Sequence, residues 1–190
     1  MARPGWGRRL ASGVLVLLLL LGGVLAFSWR PLAFGAATRL TARRFPSVRW
    51  IGTDSLARWL GDLDRTQPLL LDARTAEEYA VSRIRDARRI DPYMPDLVAL
   101  KSLPADTPIV VYSSVGYRSA RVADRLGEVG HTRVWNLERS VFGWANDGRP
   151  LTADSGPAVT VHPFDHRWGY LLEARYRAEA PPLPKRSAAP

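Results

Sequence analysis

The chain has 190 residues and not one cysteine. This absence excludes disulfides, thiolate metal ligands, persulfides and cysteine nucleophiles together. It leaves the compartment open, because a protein without thiols is compatible with oxidising and with reducing surroundings. No group of histidines and carboxylates has the spacing of a metal site, so we predict no metal and no cofactor.

Acidic residues are absent from the first 50 positions, which hold eight arginines. The whole chain has a net charge of +9, yet the other 140 residues carry 19 basic and 18 acidic side chains. The positive charge is therefore concentrated at the amino-terminal end. Nucleic-acid binding needs a basic face on the folded domain, so we predict no nucleic-acid partner.

Charged side chains are also missing from Leu10–Phe27, a mainly apolar run of 18 residues. As a helix this run would be roughly 27 Å long, which is enough to cross the hydrocarbon core of a bilayer. Trp6 and Trp29 flank the run, and tryptophan favours membrane interfaces. We predict one amino-terminal transmembrane helix, with residues 10–29 in contact with the membrane.

A cleaved signal peptide, followed by export, is the alternative. Arg3, Arg8 and Arg9 would form its basic start, and the small residues within 34–37 would offer a cleavage site. Arginines lie close to both ends of the apolar run. The positive-inside rule therefore does not give the orientation.

From Val48 onward, strand patterns and helix patterns alternate. Thr107–Tyr112 is the clearest strand, and Pro68–Asp72 is an apolar run typical of a strand buried on both faces. Thr75–Glu78 has the pattern of a capping box that opens a helix. Further strands are predicted near 48–51, 87–91 and 132–137, and helices over 55–63, 93–103, 119–129 and 141–147. This alternation predicts an α/β fold with a parallel sheet covered by helices on both faces.

The loop after Tyr112 is the candidate binding site. Ligands of parallel α/β sheets bind beyond the carboxyl ends of the strands, where this loop lies. A helix predicted to start near Ser119 would point its positive end at the loop, and Gly116 permits the backbone turn. We predict that successive N–H groups form a cradle for a small anion, built by Ser113, Ser114, Val115, Gly116, Tyr117, Arg118 and Ser119.

Three stretches resemble a known family in order and spacing: LLLDARTAEEYAVSRI, TPIVVYSSVGYRSARVADRL and RVWNLERSVFGWANDGRPL. They are similar to the rhodanese (thiosulfate sulfurtransferase-like) domain, and the tail VHPFDHRWGYLLEARYRAE resembles the extension of membrane-anchored bacterial members with a single domain. The resemblance implies a five-stranded parallel sheet and a bacterial inner-membrane location. The predicted parts are an anchor or signal peptide over 1–29, a basic linker over 30–47, the rhodanese-like domain over 48–151, an extension over 152–180 and a disordered tail over 181–190.

The resemblance also implies roles for single residues. In the family a cysteine after the central strand carries sulfur as a persulfide, and this position falls on Ser113. The loop has the length of the sulfurtransferase branch rather than of the phosphatase relatives. Asp72 and Arg74 match an Asp-x-Arg motif that braces the active-site side of the sheet, either as a salt bridge or as part of the catalytic apparatus. Where members of the family often carry HIPGA, this chain has RIRDA, Arg83–Ala87. The resemblance therefore implies that the rim of the site differs from that of those members.

Serine cannot form the S–S bond of a persulfide, and its hydroxyl normally needs an adjacent base. We expect no such base from His131, His162 or His166, and we interpret Glu77 and Glu78 as helix-capping residues. The leading hypothesis is a catalytically silent domain that binds a small oxyanion (thiosulfate, sulfate or phosphate) or a protein partner. An active enzyme that uses Ser113, either sulfurtransferase-like or a serine hydrolase, is the alternative. Arg118 either reaches into the pocket or pairs with a surface acid.

Overall fold

The structure is a computed structural model that describes residues 13–14 and 29–179. The predicted transmembrane run, apart from Gly13 and Val14, lies outside the described residues, as does the predicted disordered tail. Among the residues that are described, no helix is both long and apolar enough to cross a bilayer. Contacts divide the described residues into two units, with the boundary between residues 36 and 37, and the sheet belongs to the second.

The sheet has five strands, and every pairing in it is parallel, as predicted. The strands are β1 (Arg49–Ile51), β2 (Leu69–Asp72), β3 (Arg88–Arg89), β4 (Ile109–Tyr112) and β5 (Val134–Leu137). Their order across the sheet is β1-β5-β4-β2-β3, so β4 is the central strand. All four of its residues are buried, which explains why its sequence is continuously apolar. Asp72 pairs with Tyr112, so β2 and β4 end level with each other.

Within the described residues, helices accompany the sheet. They are α1 (residues 29–44 of the described chain), α2 (Thr53–Gly61), α3 (Ala76–Val81), α4 (Val98–Lys101), α5 (Tyr117–Glu128) and α6 (Ser140–Asn146). The predicted basic linker is thus largely helical. Thr75 forms the predicted capping box with Glu78 at the start of α3. Helix α5 begins two residues before the predicted position, directly after Gly116.

Helices cover both faces of the sheet, and β5 shows this most directly. Val134 belongs to a buried cluster that includes Ala120 and Leu126 of α5. The next residue, Trp135, meets Trp59 of α2 edge to face, with ring centroids 5.4 Å apart. Neighbouring residues of a strand point to opposite faces, so α5 and α2 lie on opposite sides of the sheet.

Two features after α6 were not predicted in this form. A hairpin joins β6 (Leu151–Ala153) to β7 (Gly156–Ala158), and Gly156 has the positive φ of 119° that its tight turn requires. The extension then folds into two short 3₁₀ turns, Trp168–Leu171 and Ala174–Tyr176. Leu171 and Leu172 are buried, so this part of the tail packs on the domain.

Candidate functional site

The loop at the end of β4 turns from the central strand directly into α5. Gly116 makes this turn with a φ of 113°, which a residue with a side chain adopts only under strain. Its carbonyl oxygen accepts a hydrogen bond from Asn136 Nδ2 at 2.9 Å. The loop therefore depends on glycine at this position and on the neighbouring strand β5.

Ser113 is the first residue of the loop and is only 1% exposed. Its Oγ accepts a hydrogen bond from the Gly116 N–H at 3.2 Å and lies 3.1 Å from Ser119 Oγ. Within the described part of the chain, no histidine or carboxylate is hydrogen-bonded to this hydroxyl. The geometry holds the serine in place and supplies no base that would activate it.

Helix α6 fastens the loop from the other side. The Ser113 N–H donates to Ser140 Oγ at 3.0 Å, and the N–H groups of Val141 and Phe142 donate to the carbonyls of Ser113 and Ser114. Ser140 and the residue before it, Arg139, have positive φ values of 50° and 56°. Two consecutive residues with side chains in this region indicate local backbone strain beside the site.

The predicted cradle has most of its donors available. The Gly116 N–H is bound by Ser113 Oγ, but the described structure contains no acceptor for the other five N–H groups of the series. These five belong to Ser114, Val115, Tyr117, Arg118 and Ser119. Three of them lie in the first turn of α5, where the helix offers no internal acceptor.

Arg118 pairs with an acid, but that acid is buried rather than on the surface. Its two terminal nitrogens each donate to one oxygen of Glu78 at 2.7 Å, and Nη2 also donates to Ser114 Oγ at 2.9 Å. Ser114 Oγ in turn donates to Glu78 Oε1 at 2.8 Å. Burial alone would raise the pKa of Glu78, but hydrogen bonding and charge from Arg118 lower that pKa to about 2.

Glu78 therefore has a larger role than the capping function that the sequence indicated. The carboxylate completes the capping box, because Oε2 accepts from the Thr75 N–H at 3.0 Å. The same side chain is 2% exposed and neutralises Arg118, 40 positions away. Capping was visible in the local pattern TAEE, whereas the ion pair has no local signal.

Asp72 and Arg74 form a second buried ion pair, at the end of β2. Arg74 Nε and Nη2 contact the carboxylate at 2.8 and 2.6 Å, and Nη2 also donates to the carbonyl of Ser82 at 2.5 Å. The guanidinium lies 5.9 Å from the centre of the Tyr112 ring. Burial, followed by the charge of Asp72, raises the pKa of the Tyr112 hydroxyl. Of the two alternatives for this motif, the geometry supports the salt bridge.

A cavity of about 400 Å³ lies over the loop. Its lining includes Ser113, Ser114, Val115, Tyr117 and Arg118, so it brings together most of the predicted anion-binding residues. Asp72 and Arg74 do not line it.

None of the three histidines contacts Ser113. His131 is buried after the end of α5, and His166 contacts Tyr170 in the extension. His162 Nδ1 accepts from the Phe164 N–H at 3.0 Å, and burial lowers the pKa of this histidine.

Comparison with known proteins places the chain in a family. The family model of the rhodanese-like domain matches residues 54–147 of the sequence. A sulfurtransferase of Allochromatium vinosum is 32% identical over 109 residues, which cover 57% of this chain and 99% of that protein. A solved thiosulfate sulfurtransferase from Pseudomonas aeruginosa is 27% identical with a TM-score of 0.50, over 56% of this chain and 20% of that one. A solved rhodanese-like domain from Anabaena, 20% identical with a TM-score of 0.50 over 55% of this chain and 78% of that one, supports the fold alone. The chain therefore belongs to the family of rhodanese-like domain proteins.

Proposed function

We propose that this protein is a rhodanese-like domain that binds a small oxyanion in the loop 113–119 without transferring sulfane sulfur. The proposal rests on the position of the Ser113 hydroxyl and on its hydrogen bonds. This hydroxyl lies at the end of the central strand, where the family resemblance puts the sulfur-carrying cysteine, and it is bonded to Gly116 and Ser119.

The absence of sulfur transfer follows from the chemistry of the carrier atom. A persulfide needs a sulfur atom at the nucleophile position, and the sequence contains no cysteine that could replace it. Ser113 also has no hydrogen-bonded base in the described structure, which argues against an activated serine.

Oxyanion binding is supported by what does not depend on sulfur. Five backbone N–H groups of the loop and of the first turn of α5 have no acceptor in the described structure. The positive end of a 12-residue helix lies at the same point. Thiosulfate, sulfate and phosphate all present oxygens that such a cradle accepts.

A sulfur-transfer assay with matched variants tests the proposal. We expect the full-length chain to show no thiosulfate:cyanide sulfurtransferase activity and Ser113→Cys to gain it. Ser114→Cys is the control, because it places the same thiol one residue further, where the Ser114 hydroxyl is tied to Glu78 and Arg118. Robust turnover by the unmodified chain would contradict the proposal.

Two further outcomes would point to other functions. Ester or phosphate hydrolysis that is lost in Ser113→Ala would favour a serine enzyme. An interaction module would be favoured by a different result: a protein co-purifies equally well with the unmodified chain and with Ser113→Ala, and neither of these two chains binds sulfate.

We further propose that the protein is held in a bacterial inner membrane through residues 10–29. The support is the length and apolar character of Leu10–Phe27 and the arginines that follow it. We expect the protein to keep its amino terminus and to resist extraction from membranes by alkaline carbonate. A double variant with Leu18→Arg and Leu19→Arg should be extracted more easily. A mature amino terminus near residues 34–37 would instead identify a cleaved and exported protein.

A further inference from the structure

The cavity over the loop has walls that come from outside the part of the chain matched by the family model. The matched residues are 54–147. Ala37, Leu40 and Thr41 of α1 form part of the lining, as do Phe164 and Trp168 of the carboxyl-terminal extension. The floor is formed by the loop, while the shape of the space above it is determined by the two segments that flank the domain.

The aromatic wall from the extension is held in place by local contacts. The Trp168 N–H donates to Asp165 Oδ1 at 2.8 Å, and the Phe164 N–H donates to His162. Gly169 lies so close to Pro163 that a Cβ on it would be 2.8 Å from the proline Cβ. Phe164 also lies over the Arg118 guanidinium, with the ring centre 4.6 Å away. These contacts support a preformed wall.

The charge of the cavity lining comes chiefly from Arg121. Arg118 also lines the cavity, but Glu78 offsets its charge. Arg121 makes no ion pair within the described residues, and its buried Nε has no hydrogen-bond acceptor there. Its guanidinium lies 5.1 Å from the centre of the Tyr93 ring, and it also donates to the carbonyl of Pro92. The lining therefore carries a positive charge that is in no ion pair, next to apolar side chains; an acid that this charge influences is Asp91, which does not line the cavity.

We propose that the cavity binds a small organic oxyanion rather than an inorganic one. The acidic head would bind the loop N–H groups and Arg121, and an apolar body would pack among Leu40, Phe164 and Trp168. A volume of about 400 Å³ lies in the range of small-molecule pockets, and an inorganic anion would fill only a small part of it. This inference rests on the proposed oxyanion-binding function and assigns it a ligand class.

Three probes separate the head group from the body of the ligand: sulfate, naphthalene-2-sulfonate and the neutral naphthalene-2-sulfonamide. Each is titrated into the full-length chain in a nonionic detergent by calorimetry, with the same detergent without protein as the blank. We expect the sulfonate to bind about tenfold or more tightly than sulfate, because its ring replaces water in the apolar part of the cavity. We expect the sulfonamide to bind about tenfold more weakly than the sulfonate, because it lacks the charge that Arg121 attracts.

Two pairs of variants test the residues. Arg121→Gln should weaken binding of the sulfonate about tenfold and leave the sulfonamide unchanged, since it removes a charge beside the head group. Arg125→Gln is the control, because Arg125 lies one turn further along α5 and also contacts the 92–93 backbone, but does not line the cavity. Trp168→Ala should weaken binding of the sulfonate but not of sulfate, and Tyr170→Ala in the same 3₁₀ turn should affect neither.

The outcomes distinguish this inference from the proposed function. If sulfate binds and the sulfonate binds no more tightly, the oxyanion site stands and the organic ligand class is wrong. If the sulfonamide binds as tightly as the sulfonate, the cavity is not selective for anions and the inference is also wrong. If neither sulfate nor the sulfonate binds to the parent chain, although that chain unfolds cooperatively in urea, the oxyanion-binding function itself is wrong.

Discussion

The two buried ion pairs near the loop differ in what they connect. Asp72 and Arg74 are two residues apart, and neither side chain is accessible to solvent. Glu78 and Arg118 are 40 residues apart, and their side chains are 2% and 10% exposed. The first pair closes the end of one strand, whereas the second joins α3 to α5 beneath the cavity. The two pairs therefore differ in what they stabilise, which is a local turn in the first case and the packing of two helices in the second.

The environments of the two arginines also differ. Arg74 is surrounded by protein, and the charge of Asp72 raises the pKa of Arg74 although burial alone would lower it. Arg118 lines the cavity and lies beneath Phe164. An arginine that loses its partner at the second position can therefore reach water, whereas one at the first position cannot.

The largest effect is expected from removing Asp72. Asp72→Ala leaves Arg74 charged and wholly buried, so we expect the free energy of unfolding to fall by about 3–5 kcal/mol. Urea unfolding of the full-length chain measures this change. Asp72→Asn, which keeps the shape and one acceptor, should cost less than the alanine variant. Equal losses in the two variants would mean that the charge, and not the shape or the remaining acceptor, is what Asp72 supplies.

Removing the charge of Glu78 should cost less, about 2–3 kcal/mol at neutral pH, because Arg118 can reach the solvent of the cavity. The pKa of Glu78 is about 2 in the folded protein, below its ordinary value of 4.5. The stability that this shift contributes, about 3 kcal/mol, is therefore complete above pH 4.5 and is lost as the pH falls towards 2. Unfolding free energies measured at several pH values in this window should decrease in the parent chain.

The matched variant for this pH dependence is Glu78→Gln. It has no carboxylate at this position, so its stability should decrease less steeply between pH 4.5 and 2 than that of the parent. Glu77→Gln is the comparison, since Glu77 lies in the same helix turn and its carboxylate makes no contact with Arg118. Hydrogen bonds with its own N–H and with Thr75 lower the pKa of Glu77, so this variant should also flatten the slope, but by less than Glu78→Gln. Identical slopes for the parent chain and Glu78→Gln would show that the ion pair does not control stability in acid.

The two pairs also show how far the sequence could predict the site. The Asp-x-Arg motif lies within three residues, so the contact between Asp72 and Arg74 is accessible to local reasoning. The contact between Glu78 and Arg118 exists only because β2 and β4 are neighbours in the sheet, which brings the starts of α3 and α5 together. The five strands and the capping box of α3 followed from local patterns. Helix α1 and the cavity walls did not, because they depend on how the flanking segments pack on the domain.

A smaller loss is expected where α6 holds the loop. Ser140→Ala removes the acceptor of the Ser113 N–H, and an unpaired buried N–H costs about 1–2 kcal/mol. Ser140→Gly removes the same hydroxyl but also relieves the positive φ of 50°, so it should be about 1 kcal/mol more stable than the alanine variant. Urea unfolding compares the two. Equal stabilities would show that the backbone at Ser140 is not strained.

The smallest effect is expected from Arg83 and Asp154, an ion pair at the surface. The two side chains are 14% and 87% exposed, so water solvates the carboxylate with or without its partner. We expect Asp154→Asn to change the free energy of unfolding by less than about 0.5 kcal/mol, and the change to disappear in high salt. Measured with Asp72→Asn and Glu78→Gln, this variant completes a series in which the exposure of the ion pair, acid and arginine together, decides the cost of neutralising its acid. If Asp154→Asn lost as much stability as Glu78→Gln, the series would not hold. The contribution of these pairs would then depend on how far apart the two residues lie in the sequence, rather than on their burial.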